Sequence, residues 1–149
     1  MKRLMSMSPL AGAIVIALLH SAAFAQQSGW LFYFPSVVRL QGKLISVSKY
    51  GNPTYGAEPD KDAVVEIPIL ILQKPIRVRD NPQSSANHES MTNVSFVQLI
   101  FSDESDATLK RYLDQQIVVA GTLAIGNRSG QFTEVVMTVK AVNPTGKPL

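Results

Sequence analysis

The residues able to carry out chemistry are few in this chain of 149 residues, and they form no recognisable constellation. There is no cysteine, and after residue 25 the one histidine is His88, in a polar loop. A metal centre needs several converging ligands, and a hydrolytic triad needs a base positioned beside a nucleophile. The sequence therefore predicts no catalytic residues, no cofactor and no metal site, and we expect the protein not to be an enzyme.

One group of acidic residues has a spacing that suits calcium. Glu58, Asp60 and Asp62 alternate within a loop, as oxygen ligands do at the start of an EF-hand. Counted from Asp60, the EF-hand positions for glycine and glutamate hold Val65 and Ile71 instead. A solvated acidic loop is the favoured interpretation, and a carboxylate calcium site is the alternative.

The N-terminus predicts export from the cytoplasm. Lys2 and Arg3 precede an uncharged apolar run from Leu10 to Leu19, and Ala23-Phe24-Ala25 matches the small-x-small cleavage pattern. The run is about half the ~20 residues that a membrane span needs. We therefore predict a signal peptide at residues 1–25, no membrane anchor in the mature chain, and a periplasmic location, with full secretion as the alternative.

The charge balance after cleavage argues against nucleic acid as a partner. The chain has 14 basic and 11 acidic residues, and two of the basic ones lie in the predicted signal peptide, which leaves a net charge of +1. Polyanions require a broad positive field, which this balance does not provide. Tyr50, Tyr55, Arg77 and Arg79 are candidates for base stacking and phosphate contacts, but turn tyrosines and solvated arginines explain them as well.

The hydrophobic pattern predicts a mainly β domain with one helix. Strand patterns recur along the chain and are separated by loops rich in Gly, Pro and Asn. A short helix is predicted between the third and fourth strands, because Ser102 can cap it and charges of the favourable sign fill its two ends. The order β-β-β-α-β-β is that of an OB (oligomer-binding) fold, a five-stranded, partly open Greek-key barrel. The predicted strands are Val37 to Ser48, Val64 to Leu72, Val94 to Phe101, Gln116 to Ile125 and Phe132 to Val142. The alternative for the second strand is that it continues through Lys74 to Val78 after a kink.

This domain, residues 37–142, is predicted to have an extension at each end. Residues 26–36 contain five consecutive apolar or aromatic residues, Trp30 to Phe34, which we expect to form a strap over one open end of the core. A partner-binding arm is the alternative interpretation. Residues 143–149 contain two prolines and a glycine and are predicted to be a flexible tail. Gly42 and Gly121 lie within strand patterns and predict bulges or sharp bends.

Several short motifs follow one another in order along the domain. They include Leu40-x-Gly42-x-Leu44, Ile71-Leu72-x-Lys74-Pro75-Ile76-x-Val78 and Val118-Val119-x-Gly121-Thr122-Leu123. Together they resemble a family of bacterial secreted and periplasmic domains known only as a domain of unknown function. More remotely, the plan is similar to that of periplasmic OB-fold stress proteins. The resemblance implies an OB-like barrel at the cell envelope with no established activity. Histidines that family members carry in the last hairpin are absent from residues 127–131.

On this fold we expect a non-enzymatic periplasmic binding module whose ligand is a small molecule, a glycan fragment or an envelope protein. OB barrels bind across strands two and three, between the loops that join strands one to two and four to five. That geometry predicts Tyr50, Asn52, Tyr55 and Arg128 at the rim, the tyrosines for stacking and the other two for hydrogen bonding or charge pairing. The alternative is an inhibitor or immunity protein that blocks an envelope enzyme or toxin.

Overall fold

The computed structural model describes residues 29–84, 88–101 and 105–145, and these ranges form a mainly β fold. The predicted signal peptide, the predicted cap of the helix at Ser102 and residues 146–149 of the predicted tail lie outside them. No helix in the described ranges is long and apolar enough to cross a membrane. The elements are β1 (Trp30–Phe32), β2 (Val37–Tyr50), a 3-10 turn (Pro59–Lys61), β3 (Val64–Arg79), β4 (Met91–Ile100), α1 (Ser105–Tyr112), β5 (Gln116–Ile125) and β6 (Val135–Pro144).

Strands β2 to β6 pair in a closed ring. β2 pairs antiparallel with β3 and with β5, while β3 pairs antiparallel with β4 and β5 with β6. The ring closes where β4 and β6 run parallel, from Val97 opposite Val135 to Ile100 opposite Thr138. Because parallel neighbours cannot be joined by a hairpin, the chain passes through α1 and β5 between them. One side of every ring strand therefore faces a common interior.

The described residues form six strands instead of the five predicted, because the segment before the domain is itself paired. β1 lies parallel to the end of β3, with its three residues opposite Arg77–Arg79. A single bridge then joins Tyr33 to Leu123 of β5. Leu31 and Tyr33 point inward and are buried. The segment predicted as a strap thus adds a short strand and two side chains to the core.

The starts of two strands differ from the prediction by three residues. β4 begins at Met91, three residues earlier than predicted, and β6 begins at Val135, three residues later, and takes in the first two residues of the predicted tail. β3 continues past Leu72 to Arg79, as in the alternative prediction, with register shifts between Ile71 and Val78. The two starts depend on pairing with distant strands, which the local pattern does not report.

The interior is filled by side chains that alternate with outward-facing ones. In β2, Val38 and Leu40 are buried while Val37 and Arg39 are exposed. Full burial of such an aliphatic side chain stabilises a fold by about 1.5–3 kcal/mol. All six strands contribute to one core cluster, which includes Leu31, Leu44, Leu70, Val97, Leu99, Ile117, Leu123, Val135 and Met137.

Two glycines lie where another strand passes too close for a side chain. A Cβ at Gly42 would lie 2.2 Å from the carbonyl oxygen of Ile71, and a Cβ at Gly121 would lie 2.2 Å from that of Thr138. The pairing register of β5 with β6 also shifts between Ala120 and Gly121. The irregularity predicted at Gly121 is therefore present, whereas Gly42 marks a close approach within a continuous register.

Replacing Gly121 with valine is expected to destabilise the fold by about 2 kcal/mol or more, because overpacking costs roughly 1–3 kcal/mol even where side chains can yield. Urea unfolding followed by circular dichroism measures this change. Gly29→Ala is the control, since nothing lies within 4 Å of a Cβ at Gly29. A valine variant as stable as the wild type to within about 0.5 kcal/mol would contradict the close approach of β5 and β6.

Tyr33 fastens the N-terminal segment to the connection between β3 and β4. Its ring is buried, and its hydroxyl donates a hydrogen bond to the backbone oxygen of Glu89 at 3.3 Å. The neighbouring ring of His88, 5.5 Å away between centres, is held by Asp80 through an Nδ1–Oδ1 contact of 2.8 Å. Burial, together with the negative charges of Asp80, Glu89 and Glu134, raises the pKa of Tyr33 to about 12.

The raised pKa of Tyr33 predicts a loss of stability at alkaline pH. Below the ordinary pKa of 10.0 the phenol is protonated in both states, but above it only the unfolded chain releases the proton. The free energy of unfolding should therefore fall between about pH 10 and 12, by on the order of 2 kcal/mol. The Tyr33→Phe variant should lack this decrease in the free energy of unfolding. The Tyr50→Phe variant, which changes an exposed ring, should retain it. Equal alkaline slopes for the wild type and Tyr33→Phe in denaturant titrations would contradict the assignment.

Candidate functional site

An open groove of about 510 Å³ lies on the outer face of the ring, between strands β2, β3 and β4 and the loop that joins β5 to β6. Side chains alternate along a strand, so residues that face outward here are neighbours of residues that fill the core. In β4, for example, Phe96 faces the groove while Val97 is fully buried inside. The groove is lined chiefly by Val47, Lys49, Ile69, Phe96, Phe132 and Glu134.

Gln98 holds the β5–β6 loop against this face. Its side-chain Nε2 donates to the backbone oxygen of Gly130 at 2.9 Å, and its Oε1 accepts from the backbone nitrogen of Phe132 at 2.7 Å. Its own backbone nitrogen donates to Oγ1 of Thr133 at 3.0 Å. Gln98 is only 6% exposed, and hydrogen bonds in such a setting are costly to leave unmade. One wall of the groove is therefore fixed by a single glutamine of β4.

Apolar packing supports the same loop from below. Ile67, Ile69 and Val136 are buried on the outer face, outside the main core cluster. Gly126, at the start of the loop, lies so close that a Cβ there would be 3.3 Å from Cγ1 of Val136. Its backbone nitrogen donates to the carbonyl oxygen of Glu134 at 2.9 Å, which closes the loop. The groove thus has a packed floor and one fixed wall.

The most unusual residue of the groove is Phe96. Its side chain is 54% exposed although it stands in the middle of a strand, between the half-buried Ser95 and the fully buried Val97. Phe132 is half-buried on the facing loop, and the two rings make no contact within the described residues. Lys49 and Glu134 add one charge of each sign. The arrangement presents a flat apolar surface with charged groups nearby.

Asp62 organises the loop between β2 and β3, which carries the predicted site residues Asn52 and Tyr55 and follows directly after Tyr50. Its carboxylate accepts hydrogen bonds from the backbone nitrogen and the hydroxyl of Thr54 and from the backbone nitrogen of Gly56, at 2.6–2.8 Å. Desolvation raises the pKa of Asp62, but these hydrogen bonds outweigh it and hold the pKa below its ordinary value. The carboxylate oxygens are therefore already engaged by the loop, and in the described ranges no three His, Cys, Asp or Glu residues form a metal-binding group.

The four predicted site residues lie at the two loops but do not line the groove. Tyr50 ends β2 and is 45% exposed, and Tyr55, at a φ of 53°, is 38% exposed. Asn52 lies between them, and its carbonyl oxygen accepts a hydrogen bond from the backbone nitrogen of Ala63 at 3.0 Å. Arg128 is exposed in the other loop, where its backbone nitrogen donates to the side chain of Gln131 at 3.0 Å. In the part of the chain that the structure describes, no hydrogen bond or ion pair joins Arg128 to the other three.

Two residues that matter most here were not selected from the sequence. Phe96 lies in the predicted strand Val94 to Phe101, which has apolar residues on both faces, and such a pattern does not say which face is covered. Gln98 carried a usable signal, because a lone glutamine within Val94–Phe101 must find hydrogen-bond partners once the strand is buried. Its partners, 32 and 34 residues later, could not be named without the fold.

Comparisons with known proteins assign no function to this geometry. The chain matches no protein-family model and no curated protein. The resemblance to the bacterial family of unknown function is therefore a prediction from the motifs alone. The function of the groove has to be argued from its side chains and its position on the fold.

Proposed function

We propose that the protein is a non-enzymatic binding module built on an OB-type barrel, and that its ligand occupies the groove beside Phe96. The pairing order β2-β3-β4-β6-β5, closed by the parallel pair and with α1 between β4 and β5, supports the OB assignment. In this assignment β1 is an addition outside the five barrel strands. The groove then corresponds to the face on which OB domains bind, flanked by the loops that join strands one to two and four to five.

The proposal rests on one observation: the ring of Phe96 is exposed, whereas hydrogen bonds and packing fix the rest of the groove. A half-exposed aromatic ring above a packed apolar floor leaves area that a ligand would remove from water, at about 25 cal/mol per Å². Gln98 fixes the opposite wall without covering the ring. The site therefore needs little rearrangement on binding, which favours affinity.

The shape and charges of the groove favour a small elongated ligand with an apolar centre. Its volume lies within the range of about 300–1,000 Å³ that is usual for ligand sites. A flat or apolar group would lie against Phe96 and Phe132, and a polar group would reach Lys49 or Glu134. Among the described residues, no hydrogen bond or ion pair joins Lys49, Ser95 and Glu134 of the lining into a proton-transfer pair, so we propose binding rather than catalysis.

The site of action that we propose is the periplasm, on the basis of residues 1–25 alone. The purified exported protein should begin at Gln26, and intact-mass spectrometry of a periplasmic fraction measures this directly. Recovery of the uncleaved chain from the cytoplasm alone would contradict export.

The groove is tested with 8-anilinonaphthalene-1-sulfonate, a flat apolar dye that carries one anionic group. We expect saturable binding to the native protein, located by amide chemical shifts at the groove, and a loss of about tenfold in affinity for Phe96→Ser. Val37→Ser is the matched control, since Val37 is 55% exposed at the far end of β2. Thermal melting should leave both variants close to the wild type because both positions are exposed.

Two outcomes would contradict this proposal. Dye binding that is equal in the wild type and Phe96→Ser, with no shifts at the groove, would remove the groove as a site. A Phe96→Ser variant that loses several kcal/mol of stability would instead make Phe96 part of the packed structure.

A further inference from the structure

A second exposed surface lies on β1 and the end of β3 and shares no residue with the groove. Trp30 and Phe32 face outward from β1, because Leu31 between them is buried. Parallel pairing places Trp30 opposite Arg77 and Phe32 opposite Arg79. We refer to Trp30, Phe32, Arg77 and Arg79 as the arginine–aromatic ladder.

The guanidinium groups of the ladder lie over the aromatic rings. The Arg77 group is 5.2 Å from the centre of the Trp30 ring, and the Arg79 group is 5.7 Å from Trp30 and 5.2 Å from Phe32. Contacts of this kind between a guanidinium group and an aromatic ring are favourable, and they restrict the motion of a long side chain. A guanidinium held in this way is prepared for bidentate contact with a carboxylate.

The charge of Arg79 is not neutralised by a carboxylate in the described ranges. The adjacent Asp80 is engaged by His88, whose backbone nitrogen and Nδ1 contact its two carboxylate oxygens at 2.6 and 2.8 Å. Arg77 has a further contact of its own, so the argument rests on Arg79. An exposed arginine between two aromatic rings is thus left facing solvent in a domain of nearly balanced charge.

Phe34 extends the apolar part of this surface. Its side chain is 66% exposed and follows the buried Tyr33, as the next outward position after Phe32. Within the part of the chain that the structure describes, β1 is the terminal strand of the sheet and pairs as a strand with β3. Exposed edge strands of this kind are places where extended segments of other chains can pair.

We infer that the arginine–aromatic ladder and Phe34 bind an extended, carboxylate-rich peptide segment of a partner protein. Arg77 and Arg79 are alternate residues of a strand, so they are about 6.6 Å apart along it, which is also the spacing of alternate side chains in an extended partner. A carboxylate would meet the guanidinium group of Arg79, and the aliphatic part of a glutamate two positions along the partner, which faces the same way, would lie near Phe34. Carboxylates are favoured over a polynucleotide because two arginines in a near-neutral domain release few counterions.

The tryptophan of the ladder provides a direct readout, since Trp30 is the single tryptophan of the chain. The probe is an acetylated and amidated peptide of four Glu-Leu repeats, titrated into the protein at low and high salt. We expect a saturable change in Trp30 fluorescence that weakens as the salt concentration rises. A peptide of Gln-Leu repeats, which has the same shape without charge, should produce no such change.

The affinities of substituted proteins for the Glu-Leu peptide show whether Arg79 itself recognises the peptide or whether any positive charge does. Arg79→Gln should weaken binding about tenfold, as expected for loss of one charge-assisted contact. Arg79→Lys should bind with intermediate affinity, because it keeps the charge but loses the planar group. Lys140→Gln removes one exposed charge from β6 and should bind like the wild type, as should Phe96→Ser. Circular dichroism confirms that each variant is folded.

Three results would overturn the inference. One is the absence of any saturable change with the Glu-Leu peptide, and another is equal affinity for the wild type and Arg79→Gln. The third is tighter, Arg79-dependent binding of oligothymidylate or of phosphatidylglycerol vesicles, which would assign the surface to a different class of partner. Because the readout is at Trp30 and not at the groove, each result is independent of the function proposed for the groove.

Discussion

The parallel pairing of β4 with β6 is the constraint on which the rest of the structure depends. It joins strands that are separated in the chain by α1 and β5, and it converts an antiparallel sheet into a ring. Val97, Leu99, Val135 and Met137 lie on its inner side and are among the most buried residues of the protein. Without this pairing, both strands would present unpaired backbone groups and the interior would be open to water, which is costly in free energy.

The same pairing creates the groove on the outer face. Gln98 and Val136 are opposite each other in the parallel register, and both contact the loop that leads into β6. Gln98 forms hydrogen bonds with that loop, while Val136 packs beneath its first residue. Three consecutive residues of β4 therefore have three roles: Phe96 faces the groove, Val97 fills the core and Gln98 holds the wall. The site is a consequence of barrel closure and not an independent addition to it.

The sequence was sufficient to predict the mainly β class and the approximate positions of the later five strands. Those strands have period-2 or continuous apolar patterns and are bounded by Gly, Pro and Asn, so their local chemistry agrees with the fold. The sequence does not predict β1 as a strand, because its uninterrupted run of apolar and aromatic residues shows no alternation with polar ones. Only pairing with Arg77–Arg79 determines that Leu31 is buried and that Trp30 and Phe32 are outside.

The candidate site was less accessible to sequence reasoning. Tyr50, Asn52, Tyr55 and Arg128 were chosen because turn residues at the expected loops are visible in a sequence. The groove depends instead on Phe96, which stays exposed on a strand with apolar residues on both faces. Which residues of that strand are covered is determined by the β5–β6 loop, more than 30 residues later in the chain. The β2–β3 loop was predicted to be a solvated acidic segment, and its one organising carboxylate is Asp62, which bonds to the loop backbone.

Native-state amide hydrogen exchange across β4 and β6 tests the central claim, closure of the ring, most directly. The account predicts that the amides which join the parallel pair, within residues 97–100 and 135–138, exchange only through global unfolding. Their opening free energies should then equal those of the β2–β3 pair around Leu70 to within about 1 kcal/mol. Rapid exchange of the β4–β6 amides, while the β2–β3 amides remain protected, would show that the ring opens in the native state and would contradict the account.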